Sequence, residues 1–290
     1  MNPLLAELLQ LLQLERLDAD VFRGQSRDAG DRHLFGGQVV AQALMAASAT
    51  VTDRAAHSLH AYFLRAGDPD ATITYEVDRS RDGTSFSSRR VVALQHGKQI
   101  LHMSASFQAD EDAFDRQSAM PAVPEPESLP TMTEVVEELK RTAPDRPRPF
   151  HGRRLAFEFR PAWLPDTAAE TLKEPHMKLW FRAVERIPDD EVLHRCVLAY
   201  ASDYYMLGVA GMEARMALSR RELQMASIDH AMWFHRPARP DEWLLYVLDS
   251  PTSSGSRGLA RGSIFSRDGR LVASTVQEGL VRRRPAPPAS

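Results

Sequence analysis

Cysteine is nearly absent from this 290-residue sequence, and neither a long apolar run nor a strong net charge is present. The single Cys196 excludes an intramolecular disulfide and leaves no set of thiolates to hold zinc, so we expect a buried, inert thiol and no metal site. The 36 basic and 39 acidic residues give a net charge of -3, which provides no overall field to attract nucleic acid. We therefore expect neither a nucleic-acid partner nor a disulfide scaffold.

A membrane-spanning segment is also missing, because no stretch approaches the ~20 consecutive apolar residues that a transmembrane helix requires. The apolar start MNPLLAELLQLLQL carries no basic leader, and the end APPAS lacks the serine-lysine-leucine peroxisomal address. Leucines at helical spacing over residues 3 to about 14 instead predict an amphipathic helix that packs on a larger body. With 43% hydrophobic residues to build a core, we expect a globular cytoplasmic protein without a membrane partner.

A proline-rich segment divides the chain near its middle. Residues 116–150 contain seven prolines and many charges around one short helical piece, Met132–Arg141. This composition is typical of a linker. It predicts an N-terminal unit at 1–115, a linker at 116–150, a C-terminal unit at 151–284 and a flexible tail at 285–290.

The two sides of the linker have similar sequences. HAYFLRAGDPD, from His60, and HAMWFHRPARPDEW, from His230, share His-Ala, an aromatic run, a basic residue and Pro-Asp. Further on, SRRVVALQHGKQILHMSASF and SRGLARGSIFSRDGRLVASTVQ each have the pattern of two alternating strands joined by a glycine-containing turn. A tandem duplication is the simplest account. Because His60 and His230 then fall at matching repeat positions, both are expected to be structural histidines.

A helical candidate precedes each set of strands. The segment FGGQVVAQALMAASATV is rich in alanine, which predicts a helix that a sheet can enclose closely. Its counterpart lies in SDYYMLGVAGMEA, where the helix is predicted to start at Asp203, and it is followed by predicted strands near 222–236, 243–250, 256–266 and 270–282. Each unit is therefore predicted to be one central helix followed by several antiparallel strands, an α+β arrangement.

Four ordered segments are similar to the signature segments of type II acyl-CoA thioesterases. They are LFGGQVVAQAL (34–44), LAYASDYYMLGVA (198–210), IDHAMWFHRPARPDEWLLY (228–246) and GRLVASTVQEGLVR (269–282). The resemblance covers nearly the whole chain apart from the linker and the tail. It implies a tandem, or double, hot-dog fold, in which each half is a central helix wrapped by a curled antiparallel sheet.

The resemblance also implies an activity: hydrolysis of medium- or long-chain fatty acyl-CoA to a free fatty acid and CoA, without a cofactor. In that family an aspartate, a hydroxyl residue and a glutamine hold the hydrolytic water. By motif, these are Asp203 in YASDYY, Ser227 in MASIDH and Gln277 in STVQEG, and many relatives have threonine where Ser227 stands. Family analogy further suggests backbone donors for the acyl carbonyl at a helix start, which places Gly36 and Gly37 at the substrate. We also expect a homo-oligomer, either a dimer or a tetramer.

These residue types suit the chemistry. A thioester is already an activated acyl group, so its hydrolysis needs a positioned water and a stabilised oxyanion, whereas a covalent nucleophile is optional. General-base help from an aspartate is worth roughly 10²- to 10⁴-fold in rate, and Asp203 is assigned that role. The Ser227 hydroxyl and the Gln277 amide both donate and accept, so together they can hold a water in one orientation. No G-x-S-x-G elbow predicts a serine hydrolase, and no G-x-G-x-x-G or P-loop sequence predicts a nucleotide cofactor.

Alternative roles exist for each residue. Asp203 precedes an apolar helix, where N-cap aspartates are common, and the two glycines also suit a tight turn. Two rival functions remain open: a non-catalytic acyl-CoA sensor, and a hot-dog enoyl-CoA hydratase. The hydratase pattern has an aspartate followed by Asn-Pro and His, whereas YYMLGVA follows Asp203 here.

Overall fold

A computed structural model of the chain describes residues 1–27, 33–112, 114–142, 155–163, 175–219 and 221–284. The predicted tail at 285–290 and the last part of the predicted linker, 143–150, lie outside these ranges. No helix in the described ranges is long and apolar enough to cross a membrane.

The N-terminal half wraps strands around one central helix. The predicted alanine-rich helix is present, and its small residues pack so closely against the sheet that Val40, Ala43 and Leu44 are fully buried. The elements of this half are α1 (Pro3–Leu11), β1 (Glu15–Asp18), β2 (Val21–Gly24), α2 (Gly36–Ser48), β3 (Ala55–Phe63), β4 (Ile73–Asp82), β5 (Phe86–Gln95) and β6 (Lys98–Gln108). Two strands, β1 and β2, precede the helix, whereas the sequence pattern predicted strands only after it.

The C-terminal half repeats this plan with a broken helix. Its elements are β7 (Phe157–Trp163), β8 (His176–Ala183), α4 (Glu191–Ser202), α5 (Met206–Ala210), α6 (Met212–Ala217), β9 (Leu223–Ser227), β10 (Asp229–Phe234), β11 (Leu244–Ser254), β12 (Arg257–Ser266) and β13 (Leu271–Arg283), with α3 (Met132–Thr142) between the halves. The predicted strands after residue 222 and the helical piece near residue 132 are confirmed.

The prediction that a helix starts at Asp203 is wrong. Helix α4 was not predicted, although Asp190 caps it by accepting a hydrogen bond from the N–H of Leu193 at 3.0 Å. Asp203 follows the last residue of α4, and α5 begins three residues later, after a turn in which Tyr205 has a left-handed φ of 68°. Asp203 therefore occupies the break between two helices and is not the N-cap of the second.

One antiparallel sheet runs through both halves. In the described residues its strand order is β1-β2-β4-β5-β6-β3-β10-β13-β12-β11-β8-β7, with β9 also paired to β13. Strands β3 and β10 join the halves at the centre, where Ala61 pairs with His230. Inside the curved sheet α2 packs against α4, and α5 packs against β11, β12 and β13. The prediction of an α+β, tandem hot-dog fold is confirmed.

The first part of the predicted linker packs on the outside of the C-terminal sheet. Residues 117–129, which we call the strap, cover a cluster of large side chains on the outer face. The indole N–H of Trp180 donates to the carbonyl of Pro124 at 2.9 Å, and Gln117 bonds to the backbone of the β12–β13 turn. The covered cluster consists of Trp180, Trp243, Leu245 and Phe265. Because these side chains would otherwise face water, the strap extends the core of this half.

Candidate active site at the junction of the two halves

Asp203 lies where the two halves meet. Its carboxylate Oδ2 accepts a hydrogen bond from the backbone N–H of Gly37, at the start of α2, at 2.7 Å. The first N–H groups of a helix have no partner within the helix and carry its positive end. Phe35, at the N-cap position of α2, makes no side-chain cap, so the carboxylate from the other half supplies one. This contact joins residues 166 positions apart in sequence.

The glycine pair makes that approach possible. A Cβ on Gly36 would lie 2.9 Å from Oδ2 of Asp203, and a Cβ on Gly37 would lie 2.5 Å from the carbonyl oxygen of Tyr200. Both distances are too short for a side chain, so any larger residue would push α2 away from the carboxylate. The sequence prediction placed the pair at the substrate carbonyl. In this structure the N–H of Gly37 is occupied by Asp203.

Gln277 and Ser227 lie together, as the motif assignment requires. The amide nitrogen of Gln277, on β13, donates to Oγ of Ser227, the last residue of β9, at 2.8 Å. Gln277 is fully buried, whereas Ser227 is partly exposed. Burial raises the pKa of the Asp203 carboxyl, and the amide of Gln277 partly offsets this rise by favouring the charged form. The three residues predicted from separate segments thus form one constellation.

The carboxylate of Asp203 is shielded from water. Burial raises the pKa of the Asp203 carboxyl above its usual value, while His230, the N–H of Gly37 and the amide of Gln277 act in the opposite direction. Asp203 is 8% exposed, and aromatic rings cluster at the residues that follow it: Phe35 stacks on Tyr204 with 4.6 Å between ring centroids, and Phe159 meets Tyr205 edge-on at 5.1 Å. A carboxylate with a raised pKa accepts a proton more readily than an exposed one, which suits a general base.

Comparison with known proteins identifies the family. Residues 149–280 match the family model "Acyl-CoA thioesterase", and residues 25–108 match "Acyl-CoA thioesterase N-terminal domain". The chain is 40% identical over 283 residues to "Acyl-CoA thioesterase 2" of Haemophilus influenzae, an alignment covering 97% of this chain and 99% of that protein. This chain belongs to the acyl-CoA thioesterase family. It is therefore a thioester hydrolase, as the sequence predicted.

Solved structures agree with this thioesterase assignment. The crystal structure of the acyl-CoA thioesterase II TesB2 from Mycobacterium marinum matches with a TM-score of 0.78 and 39% identity, covering 96% of this chain and 98% of that one. A conserved protein with a hot dog fold from Alicyclobacillus acidocaldarius matches with a TM-score of 0.75 at 19% identity, covering 97% and 99% of the two chains. The second match supports the fold alone.

One residue that the thioesterase resemblance did not assign lies at the centre of the constellation. His230 is fully buried. Its Nδ1 lies 2.6 Å from Oε1 of Gln277, and its Nε2 lies 2.9 Å from Oγ of Ser202, the last residue of α4. The sequence prediction of a structural histidine did not include its contacts, which come from two separated segments, α4 and β13. The inward position of His230 on an alternating strand was the only available signal.

The predicted equivalence of His60 and His230 is wrong. The N–H groups of Leu64 and His235 each donate to the neighbouring strand in the same way, to Ile100 and Val272 respectively, at 2.8 Å. Leu64 and His235 are therefore equivalent, and Leu59 and His230 each lie five residues before them. The counterpart of His230 is thus Leu59 and not His60. The shared His-Ala letters are thus displaced by one residue, which reverses the face of a strand. His60 is exposed on the outer face, where it lies against Trp233.

Two cavities flank the central helices of this thioesterase. One, of about 620 Å³, lies between α1 and the C-terminal end of α2 and contains none of the three predicted catalytic residues. The other, of about 400 Å³, includes Tyr205 in its wall, two residues from Asp203. Its apolar lining further consists of Leu4, Met132, Leu155, Phe157, Phe159 and Val184. Across the described ranges no group of three His, Cys, Asp or Glu side chains is arranged to hold a metal ion.

Proposed function

We propose that the protein hydrolyses medium- or long-chain fatty acyl-CoA to free fatty acid and CoA, using a water that Asp203 deprotonates. The observation that carries the proposal is the buried carboxylate of Asp203 beside the hydrogen-bonded pair of Gln277 and Ser227. This arrangement combines a proton acceptor with groups that can both donate to and accept from a water.

The reaction needs no covalent enzyme intermediate. Asp203 takes a proton from the water as its oxygen forms a bond to the acyl carbon, which gives a tetrahedral oxyanion. Collapse of this intermediate breaks the carbon–sulfur bond, and the proton held by Asp203 passes to the leaving CoA thiolate. This transfer restores the carboxylate for the next turnover. The carboxylate is held for this step by the N–H of Gly37 at 2.7 Å, and α2 thereby contributes the N-terminal half to the site.

Gly36 and Gly37 are proposed to lie against the thioester as well as against Asp203. Their lack of side chains lets the start of α2 approach the Asp203 carboxylate, beside which the thioester would lie. Because the N–H of Gly37 already serves the carboxylate, we assign the pair first to holding Asp203 close to the reacting carbon.

The preference for a medium or long acyl chain is supported by the 400 Å³ cavity. The aromatic and aliphatic part of its lining, which includes Tyr205 two residues from Asp203, suits a hydrocarbon chain. A volume within the roughly 300–1,000 Å³ of ordinary ligand pockets accommodates more than a short acyl group. We place the acyl chain there.

The two rival functions make different demands on the site. A sensor would need the pocket without the base, yet Asp203 keeps its contacts with Gly37 and Gln277. A hydratase would need a histidine and Asn-Pro after the aspartate, where this chain has a turn through Tyr204 and Tyr205. A cytoplasmic location and a homo-oligomer, dimer or tetramer, remain predictions; light scattering coupled to size exclusion would measure the second.

The direct test is release of free thiol from a series of acyl-CoA esters of increasing chain length. The proposal expects release that increases from short to medium or long chains. Asp203→Asn, which keeps an oxygen to accept from Gly37, is the matched control and should be inactive. Tight acyl-CoA binding without thiol release by the folded wild-type protein would establish the sensor instead.

The role of Ser227 is tested by two substitutions. Ser227→Thr keeps a hydroxyl next to Gln277 and should retain most activity, whereas Ser227→Ala should lose roughly ten- to a hundredfold in kcat because one contact to the water is missing. Rapid-quench mass spectrometry should show no acyl group on Ser227 during turnover. An acyl-serine that forms and decays at the rate of turnover would replace the water mechanism with a covalent one.

A further inference from the structure

His230 belongs to a chain of buried hydrogen bonds that ends at the proposed water site. Its Nε2 faces Oγ of Ser202 at 2.9 Å, and its Nδ1 faces Oε1 of Gln277 at 2.6 Å. The amide nitrogen of Gln277 in turn donates to Ser227 at 2.8 Å. Ser202 is anchored as well, since its hydroxyl lies 2.9 Å from the carbonyl of Ala199 in α4.

The orientation of the Gln277 amide decides what it offers to Ser227 and Asp203. A primary amide has a donor end and an acceptor end, and a half-turn of the group exchanges them. With the nitrogen toward Ser227 and Asp203, the amide can donate to the serine oxygen and to the carboxylate. After a half-turn its oxygen would face the carboxylate, which can only accept when ionised. Catalysis by Asp203 therefore needs one of the two orientations.

We propose that His230 is a positioning residue that holds the Gln277 amide with its nitrogen toward Ser227 and Asp203. An amide oxygen only accepts, so this orientation of Gln277 requires a proton on Nδ1 of His230, and the contact of Nε2 with Ser202 holds the other side of the ring. The half-turned amide would bring its N–H₂ against this N–H and its oxygen against the Asp203 carboxylate, so both contacts would become repulsive. This inference rests on the proposed function of Asp203, Ser227 and Gln277.

The N-terminal half shows that the fold does not require this histidine. Leu59 occupies the equivalent position, and it pairs with Ala105, the equivalent of Gln277. Both are buried among apolar neighbours. The same strand geometry therefore accepts leucine where no polar constellation has to be oriented.

A double-mutant cycle tests the proposal. His230→Leu should lower kcat roughly ten- to a hundredfold with KM nearly unchanged, because the substrate pocket is untouched while the amide loses its preferred orientation. His230→Asn, whose side-chain amide can donate to Oε1 of Gln277, should restore most of that loss. In a Gln277→Ala background, His230→Leu should have little further effect, since the group it orients is gone.

Controls separate positioning from a general effect on folding. Met232→Leu changes an inward core residue on the same strand without touching Gln277, and it should leave kcat close to that of wild type. If His230→Leu does not fold, Ser202→Ala should still lower kcat and lose its effect in the Gln277→Ala background. Equal losses with and without Gln277, or His230→Asn no better than leucine in a folded protein, would overturn the positioning role. Wild-type protein without thioesterase activity would instead overturn the proposed function.

Discussion

The two halves of this molecule have the same strand plan but differ in what the strands enclose. At equivalent inward positions the C-terminal half has His230 and Gln277, whereas the N-terminal half has Leu59 and Ala105. One pair is joined by a buried hydrogen bond that leads to Ser227, and the other packs as core. The same strand plan thus accommodates either an apolar or a polar lining, and the polar lining supplies the groups of the candidate site.

A buried tyrosine repeats the same contrast. Tyr75 and Tyr246 stand at equivalent positions of β4 and β11, five residues after a Pro-Asp in each half. Tyr75 donates to Gln42 of α2, which in turn donates to two backbone carbonyls and so supports the helix. Tyr246 donates to the carbonyl of Ser202, the residue just before Asp203. The same side chain thus supports the helix in one half and the candidate site in the other.

On the outer faces of the sheet the C-terminal half is the more apolar one, whereas on the inner faces it is the more polar one. In the C-terminal half Leu245 pairs with Trp180 beneath the strap, while in the N-terminal half the equivalent strand pair is Thr74 with Arg23. The apolar face is covered and the polar face is left to water, as the hydrophobic effect requires. The halves have therefore diverged on both surfaces of one sheet.

The largest effect is expected on kcat, from substitution of Asp203 on the inner side of the C-terminal half. Because Asp203 has no counterpart in the entry segment LFGGQVV of the N-terminal half, Asp203→Asn should reduce kcat at least ~100-fold if this carboxylate is the base. Asparagine keeps an oxygen for the N–H of Gly37, so α2 should stay in place. Thiol release from acyl-CoA measures the loss. Turnover within about fivefold of wild type, with an unchanged circular dichroism spectrum, would refute the assignment.

The titration of Asp203 should make both kcat/KM and stability depend on pH, each in a defined direction. Burial raises the folded-state pKa of Asp203, so kcat/KM should fall as pH drops through a pKa higher than that of an exposed aspartate. The raised pKa also means that the folded state binds a proton more tightly than the unfolded state does. Stability is therefore lost as pH rises through the interval between the unfolded and folded pKa values. Asp203→Asn should consequently unfold at a higher temperature than wild type at neutral pH.

Trp180→Ala tests the difference between the outer faces of the two halves. Trp180 is 1% exposed and donates to Pro124 of the strap, so its loss should lower the free energy of unfolding by about 3 kcal/mol or more. Arg23→Ala, at the equivalent outer position of the other half, should change it by no more than about 0.5 kcal/mol. Urea unfolding of the two variants measures both. Similar losses would show that the strap adds nothing to the C-terminal half.

The smallest effect is expected at the surface of the strap. Arg267 forms ion pairs with Glu125 and Glu127, but all three side chains are about half exposed. Arg267→Ala should therefore cost at most about 1 kcal/mol, and less at high salt. Arg270→Ala is the matched control, because Arg270 pairs within its own turn, with Asp268. A loss for Arg267 several times larger would make the ion pairs a main anchor of the strap.

The sequence alone determined the features that depend on local pattern. The alanine-rich helix, the two hairpins and the strands after residue 222 follow from hydrophobic periodicity and turn residues, which act over a few positions. The segments around Asp203, Ser227 and Gln277 also predicted the family, because four ordered motifs are specific even before their contacts are known. The catalytic roles of these three residues, and of Gly36 and Gly37, stay predictions until the variants are measured.

Only the tertiary structure decided how those segments meet. No local pattern shows that Asp203 caps a helix whose first turn lies 166 residues away in sequence. The repeated His-Ala letters gave an alignment of the two halves that is displaced by one residue, because equivalent strand positions are set by hydrogen-bond register. The role of His230 likewise depends on β10, β13 and α4 packing together, and the strap is recognised only by the tryptophan face it covers. Sequence patterns specify elements over short distances, whereas a site built from five separated segments exists only once the core is packed.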